Sequence, residues 1–170
     1  IDALVGDLLA ASTAAERRER LERLVAEPAD ALAAFEPHRA EILTLHQSPQ
    51  LTVMNVVWAP GMRFPPHDHR TWGTIAVYAG REDNTFYRRS DEGLQVAGGK
   101  QLETGETALL GKSVIHAVAN PLRVFTGAIH IYGGDFFGTP RSDWDPETLQ
   151  ERPYDNARAR KVFEDANERW

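Results

Sequence analysis

Apolar residues in the first part of the chain recur at the spacing of a helix. Between residues 1 and 35 they follow one another at intervals of three and four, which places them on one helical face. These positions are Ile1, Leu4, Val5, Leu8, Leu9, Leu21, Leu24 and Val25. Thr13 and Glu16 stand at the spacing of a capping box, and Pro28 marks a further break. The segment is therefore predicted to form two or three short helices.

From residue 51 onwards, short segments rich in Val, Ile, Thr and aromatic residues replace the helical pattern. Glycine and proline separate them, as is typical of strands joined by turns. The predicted strands cover 51–58, 74–79, 85–89, 107–110 and 124–132, and turns are predicted at 80–84, 98–99 and 133–134. No connection is long enough for repeated crossover helices, so an antiparallel sandwich or barrel is expected. An apolar stripe within 155–170 predicts a C-terminal helix.

Composition narrows the classes of protein that fit this pattern. The 170 residues are enough for one domain with a single core. A net charge of −6 leaves no basic surface for nucleic acid, and no apolar run is long enough to cross a bilayer. No signal-peptide pattern follows Ile1, so a cytoplasmic location is expected. Because the chain has no cysteine, a metal site would need nitrogen and oxygen ligands.

Histidines supply the main candidate chemistry. His67 and His69 are two residues apart, so on a strand both imidazoles point to the same face. His116 lies in a later β-prone segment, which a small barrel could bring next to the first two. We predict these three residues as a metal site. His38 and His46 are interpreted as ordinary, partly buried histidines.

The spacing of these histidines resembles the two sequence motifs of the cupins. The matching residues are Gly61, His67, Asp68, His69 and Gly80 for the first motif, and His116 and Asn120 for the second. The usual glutamate of the first motif is missing, because its position falls on Gly73 or Thr74. The resemblance implies a mainly β fold, the cupin double-stranded β-helix or jelly-roll barrel. It divides a single domain into an N-terminal helical layer at 1–45, a barrel at 50–137 and a C-terminal tail and helix at 138–170.

Loss of that glutamate is a feature of the thiol dioxygenases, which the chain resembles from residue 39 to residue 137. The shared residues are Trp58, Pro60, Gly61, Trp72 and Gly73, the segment 116–121, and 128–132. The resemblance implies that His67, His69 and His116 bind Fe(2+), with Ni or Zn as other metals that could be loaded. It also implies that His130 and Tyr132 form an outer catalytic pair that faces dioxygen and substrate. Alternation independently places these two side chains on one face of a strand.

The chain departs from the thiol dioxygenase pattern in three ways. Ala128 stands where a serine would orient His130, so His130 is expected to lack that partner. The cysteine–tyrosine crosslink of the animal enzymes cannot form without cysteine. The residue that binds the substrate carboxylate aligns near Arg39, which is the predicted substrate-binding residue. Its alternatives are Arg63, Arg70 and Arg89.

Three neutral imidazoles leave a divalent metal with its full charge, which favours an anionic substrate such as a thiolate. Together with this charge argument, the resemblance to the thiol dioxygenases implies oxidation of a small carboxylated thiol by O2 to its sulfinate, with 3-mercaptopropionate slightly ahead of cysteine. The expected partners are this thiol and O2, with neither nucleic acid nor membrane, in a monomer or homodimer.

Three alternatives stay open. One is another metal-dependent cupin enzyme, either a different dioxygenase or a zinc or nickel hydrolase. A hydrolase would need a general base near the metal, and no glutamate is expected close to the ligands. The second is a cupin that holds a metal or small ligand without turnover. The third is a structural β domain with no metal.

Overall fold

The computed structural model of the protein describes residues 1–91 and 93–170. The helices within these residues are α1 (Asp2–Ala10), α2 (Ala14–Ala26), α3 (Ala29–Phe35) and α4 (Asn156–Glu168). The first strands are β1 (Glu41–Gln47), β2 (Leu51–Trp58), β3 (Arg63–Asp68), β4 (Gly73–Ala79), β5 (Arg81–Ser90) and β6 (Gly93–Glu103). The remaining strands are β7 (Thr107–Leu110), β8 (Ile115–Ala119), β9 (Thr126–Gly133), β10 (Ser142–Trp144) and β11 (Glu151–Pro153).

Two antiparallel sheets form the body of the protein. One has five strands in the order β1-β2-β9-β4-β7, and the other has six in the order β11-β10-β3-β8-β5-β6. Strands that are distant in sequence are therefore neighbours, as in β2 with β9 and β3 with β8. This order is that of a double-stranded β-helix, so the predicted fold is confirmed. Across the described residues, the helices are all too short or too polar to qualify as membrane spans.

The predicted helices are confirmed at both ends of the chain. Helix α2 begins with the predicted capping box, because Thr13 Oγ1 accepts a hydrogen bond from Glu16 N at 3.1 Å. Glu16 Oε2 in turn accepts from Thr13 N at 3.3 Å. These two bonds satisfy backbone N–H groups that have no partner within the helix. Helix α4 begins similarly, with the Asp155 side chain accepting from Ala157 N and Arg158 N.

Two of the predicted turns are wrong. The segment 80–84 was predicted as a turn, but β5 already begins at Arg81 and pairs with β6 and, from Asp83, with β8. Its inward-facing side chains include polar ones, so it lacks the apolar alternation by which strands are recognised. Gly98 and Gly99 lie within β6, next to a register shift, rather than in a turn. Strand β1 also begins at Glu41, inside the segment assigned to the helical layer.

The N-terminal helices cover the outer face of the five-stranded sheet. There they bury a group of apolar side chains, here named the outer cluster. It consists of Leu8, Leu21, Val25, Ala31, Leu51, Val53, Ala76, Tyr78, Ile129 and Ile131. Burial of this apolar area stabilises the helices against the sheet. The opposite face of the same sheet is turned towards the six-stranded sheet and encloses the interior of the barrel.

Helix α4 packs against the interior side of the barrel. Phe163 is buried, stacks on Trp58 with ring centroids 5.2 Å apart, and contacts Phe64 at 5.7 Å. Asn167 fixes the helix to the start of β1 by hydrogen bonds to both Ala40 N and Ala40 O. These aromatic contacts place α4 beside the polar residues of the interior.

Candidate metal centre

Three histidines converge in the interior of the barrel. In the register of β3 and β8, His67 pairs directly with His116, and His69 follows the last residue of β3. All three are buried, and one ring nitrogen from each lies within 4.8 Å of the others. His69 Nε2 and His116 Nε2 are 3.2 Å apart. These three residues could therefore bind a metal ion.

Hydrogen bonds orient two of the three imidazoles. His67 Nδ1 lies 3.0 Å from Pro65 O, and His116 Nδ1 lies 2.6 Å from Asn84 Oδ1. Both oxygens are acceptors, so each Nδ1 carries the hydrogen and each Nε2 keeps its lone pair. Partners of this kind are typical of metal-binding histidines. The lone pair of His116 Nε2 faces His69 Nε2, an arrangement that needs a proton or a cation between the two atoms.

Burial keeps these histidines in the neutral form that binds metals. Removal from water lowers the pKa of His67 to about 4. Burial also holds the pKa values of His69 and His116 well below the ordinary range, and the neighbouring imidazoles lower them further. At neutral pH the three rings are therefore uncharged, so a divalent cation does not compete with a charged form of these rings. The donor set fits a transition metal ion such as iron(II) or zinc.

The missing motif glutamate has a steric explanation. Gly73 pairs with Tyr132 between β4 and β9, and a Cβ added at Gly73 would lie 2.8 Å from Tyr132 Cε1. That separation is shorter than a carbon–carbon contact permits. A carboxylate side chain at residue 73 would collide with the Tyr132 ring. The all-histidine cluster and the position of Tyr132 are therefore linked by packing.

The predicted outer pair lies beside this cluster. His130 Nδ1 and the Tyr132 hydroxyl are 3.0 Å apart on the interior face of β9. The Tyr132 ring contacts His69, with ring centroids 4.7 Å apart. Burial raises the pKa of Tyr132 well above its ordinary value, so the phenol keeps its proton at neutral pH. The pair thus presents a hydroxyl close to the three histidines.

The expectation that His130 lacks an orienting partner is wrong. Glu82 Oε2 lies 3.1 Å from His130 Nε2 and 2.9 Å from Trp58 Nε1, and Glu82 is fully buried. Glu82 Oε1 accepts a hydrogen bond from Asn84 Nδ2 at 3.2 Å. A glutamate therefore does lie near the ligands, contrary to the sequence prediction. Glu82 and Asn84 are two residues apart on β5, a spacing that could have indicated one polar face.

An arginine outside the predicted site also reaches this region. Arg141 is buried, and its guanidinium lies 3.8 Å from the ring centroids of both Phe136 and Tyr154. Arg141 Nη1 donates to Phe136 O, whereas Nε and Nη2 are buried with no hydrogen-bond partner within the described residues. Its charge contributes to the lowered pKa values of His67 and His69. The sequence prediction missed Arg141 because it follows the segment that resembles the thiol dioxygenases.

The arginines named from sequence are placed differently. Arg39 is exposed and lies on the wall of a groove of ≈ 540 Å³ that also includes Arg141. Arg63 is exposed on β3. Arg70 and Arg89 both contact the buried carboxylate of Asp68, at 2.5 Å and 3.4 Å. Of these arginines, only Arg39 lines a groove shared with Arg141, and Arg39 stays a prediction.

A small inner cavity separates the cluster from this groove. Its volume is ≈ 30 Å³, which is room for about one water molecule. Its lining includes His67, His116, His130 and Tyr132. The walls common to cavity and groove are Ile42, Met54, Phe136, Tyr154 and Phe163. The groove is therefore a route by which a small molecule could approach the histidines.

Comparison with known proteins supports the fold. No family model matches the chain. A solved structure from Bacillus halodurans, BH2720, is similar with a TM-score of 0.54 and 15% identity, over 62% of this chain and 78% of that one. This match and the strand order agree on the architecture. The fold is a double-stranded β-helix.

Two weaker matches carry cupin-type descriptions. An RmlC-like cupin family protein from Methanocaldococcus jannaschii aligns with a TM-score of 0.47 and 12% identity, over 56% of this chain and 80% of that one. A double-stranded β-helix protein from Klebsiella pneumoniae aligns with a TM-score of 0.46 and 13% identity, over 69% and 82%. At such identities the similarity concerns fold alone. The chemistry of this protein must be argued from its own residues.

Proposed function

We propose that this cupin is a mononuclear non-haem iron(II) enzyme that oxidises a small carboxylated thiol to its sulfinate with O2. The observation that carries the proposal is the composition of the metal-binding group, which consists of histidine alone among the described residues. Three neutral imidazoles would leave the charge of iron(II) uncompensated in a buried site. A thiolate substrate supplies the missing negative charge, as a carboxylate ligand does in other non-haem iron sites.

The proposed reaction is balanced without a further reductant. A thiolate and one O2 give a sulfinate, with both oxygen atoms bonded to sulfur. The sulfur loses four electrons and the two oxygen atoms gain them. When bound, iron(II) would supply the open coordination positions and the one-electron chemistry through which a thiolate and O2 react.

The residues of the chain orient the reactants and exclude water. Pro65 O and Asn84 Oδ1 hold the rings of His67 and His116 in a ligating orientation. The Tyr132 hydroxyl is the polar group next to His69, and its oxygen could accept a hydrogen bond from the substrate thiol before the thiol loses its proton. The aromatic walls of the inner cavity keep bulk water from this position.

Arg141 supports a carboxylated substrate. Its unpartnered Nε and Nη2 atoms are buried beside the route to the cavity and could donate a pair of hydrogen bonds to one carboxylate. We therefore propose Arg141, rather than Arg39, as the residue that binds the substrate carboxylate. No Asp or Glu lines the inner cavity within the described residues, whereas Glu41 and Glu164 line the groove that contains Arg141. The preference for 3-mercaptopropionate over cysteine stays a prediction.

A matched pair of arginine variants tests this proposal. Oxygen uptake and sulfinate formation are measured for iron(II)-loaded protein with 3-mercaptopropionate, cysteine and cysteamine, which lacks a carboxylate. We expect Arg141→Met to raise KM for 3-mercaptopropionate about tenfold to a hundredfold, the value of a charged hydrogen bond. KM for cysteamine should not change. Arg39→Met, in the exposed arginine of the same groove, should leave both values as in the unsubstituted protein.

Three results would contradict the proposal. An equal rise in KM for cysteamine in Arg141→Met would show that Arg141 acts through packing and not by binding the carboxylate. A rise in KM confined to Arg39→Met would show that Arg39, and not Arg141, binds the substrate carboxylate. Iron binding without sulfinate from any thiol would favour a cupin that holds a metal without this turnover.

A further inference from the structure

An unbroken chain of buried hydrogen bonds joins one predicted metal ligand to the outer pair. His116 Nδ1 contacts Asn84 Oδ1 at 2.6 Å, and Asn84 Nδ2 donates to Glu82 Oε1 at 3.2 Å. Glu82 Oε2 contacts His130 Nε2 at 3.1 Å, and His130 Nδ1 contacts the Tyr132 hydroxyl at 3.0 Å. All five residues are buried.

We propose that Glu82 is a positioning residue that fixes the hydrogen-bond direction along this whole chain, in the role that a serine at residue 128 would have had. The inference rests on the proposed function, which assigns His116 as a ligand and Tyr132 as a catalytic residue. Ala128 is fully buried on β9 and offers His130 no polar atom. The orienting group comes instead from β5 of the opposite sheet.

Glu82 determines the tautomer of His130. A carboxylate oxygen only accepts hydrogen bonds, so His130 must carry its hydrogen on Nε2. In the neutral ring, His130 Nδ1 is then an acceptor, and the Tyr132 hydroxyl donates to it. With its hydrogen turned towards His130, the oxygen of Tyr132 presents lone pairs to its other neighbours.

The same carboxylate determines the orientation of Asn84. Because Glu82 Oε1 accepts, Asn84 must direct its NH2 group to Glu82 and its oxygen to His116. His116 then carries its hydrogen on Nδ1, and its Nε2 is free to bind a metal. A reversed Asn84 amide would offer a donor to His116 and favour the tautomer that cannot bind through Nε2. Glu82 thus acts on both the ligand and the outer pair.

Glu82→Gln tests this role because an amide cannot satisfy all three donors. If its oxygen faces Trp58 and His130, its NH2 group faces the NH2 group of Asn84 and favours reversal of that amide. If its NH2 group faces them instead, it meets the N–H of Trp58, which has no acceptor to offer. Either arrangement changes the tautomer of His116 or of His130. Asp83→Asn, on the same strand but half-buried and paired with Arg81, is the matched control.

The tautomers are read by long-range proton–nitrogen NMR of 15N-histidine-labelled, metal-free protein, a measurement that needs no turnover. In the unsubstituted protein we expect hydrogen on His130 Nε2 and on His116 Nδ1. In Glu82→Gln at least one of the two should switch, and Asp83→Asn should leave both unchanged. Hydrogen on His130 Nδ1 in the unsubstituted protein would overturn the inference, even if Glu82→Gln does not fold. Unchanged tautomers in a folded Glu82→Gln protein would also overturn it.

Kinetics with iron(II)-loaded protein separate the two proposals. Glu82→Gln should lower kcat about tenfold or more, as loss of such supporting partners does, with little change in KM for the thiol. An unchanged kcat would contradict the role of Glu82 in turnover. If the unsubstituted protein has the expected tautomers but forms no sulfinate, the proposed function fails while the assignment of Glu82 stands.

Discussion

The two faces of the five-stranded sheet differ in what holds them together. On β9, Ile129 and Ile131 point to the outer cluster and are packed by apolar neighbours. On the same strand, His130 and Tyr132 point into the barrel and are joined by hydrogen bonds. Apolar packing has no direction and accepts many neighbours, whereas a buried polar group needs a particular partner.

The partner of His130 comes from the other sheet, because Glu82 lies on β5 of the six-stranded sheet. Asn84, also on β5, contacts His116 of the neighbouring strand β8 in that same sheet. The outer face therefore supplies stability, and the interior supplies chemistry. Substitutions on the two faces should affect different measurements, which allows the comparison to be tested.

The largest effect is expected from the interior cluster. His116→Ala removes one of three metal-binding nitrogens and should abolish metal-dependent turnover, lowering it by about a thousandfold or more. Metal content per chain, measured after reconstitution, should fall in parallel. His46→Ala is the control, because His46 is a half-buried histidine on β1 that lies outside the cluster. Full turnover in His116→Ala would show that His116 is not a metal ligand.

The outer face should show the largest effect on stability alone. Ile129→Ala removes a fully buried side chain from the outer cluster and should lower the free energy of unfolding by about 2–5 kcal/mol. Denaturant unfolding gives this value. Below the unfolding transition, kcat and metal content should equal those of the unsubstituted protein. A large fall in kcat would show that the two faces are coupled.

The pH dependence of stability tests the interior face, where the three histidines are buried in the neutral form. Burial lowers the pKa of His67 from 6.5 to about 4, and it lowers those of His69 and His116 too. Between pH 6.5 and about 4, His67 takes up a proton in the unfolded chain but not in the folded chain, and His69 and His116 behave in the same direction. The metal-free protein should therefore lose stability as pH falls from 6.5 towards 4, by up to about 1.4 kcal/mol per pH unit for each histidine.

Denaturant unfolding at several pH values measures this slope. His67→Ala should reduce the slope, because one group with a lowered pKa is gone. His38→Ala, at an exposed histidine outside the cluster, is the matched control. A stability that stays constant from pH 6.5 to 4 would contradict the neutral, buried state of the three imidazoles.

The smallest effects come from a matched pair of tyrosines. Tyr132→Phe removes the hydroxyl beside His69 and should lower kcat about tenfold with little change in metal content. Tyr78→Phe removes a buried hydroxyl of the outer cluster that contacts Asn55 at 2.9 Å. It should cost about 1 kcal/mol of stability and leave kcat unchanged. Equal kcat values for both variants would exclude Tyr132 from the reaction.

The spacing of apolar residues along the sequence was sufficient to predict the apolar framework of the fold. Helical spacing predicted the helices of the outer layer, and β-prone segments between glycines and prolines predicted five of the strands. The two-residue spacing of His67 and His69, with His116 on a later strand, was also enough to expect the three to lie close together. Such signals are local, or follow from the simple geometry of a barrel.

The partners of the cluster could not be predicted in this way. Asn84 lies beside His116 because β5 pairs with β8, and Glu82 contacts His130 across the barrel. Alternation alone reveals neither contact. Arg141 reaches the interior because β10 pairs with β3, where Asp143 is opposite His67. That pairing involves a strand of only three residues within a polar segment. Sequence patterns of this length do not distinguish a strand from a loop.

Isotope labelling of the product tests the central claim most directly. Iron(II)-loaded protein is supplied with 3-mercaptopropionate under 18O2, and the product is analysed by mass spectrometry. The proposed reaction predicts a sulfinate that carries two labelled oxygen atoms, formed in proportion to the oxygen consumed. Disulfide as the product, or a sulfinate with unlabelled oxygen, would contradict thiol dioxygenation by this protein.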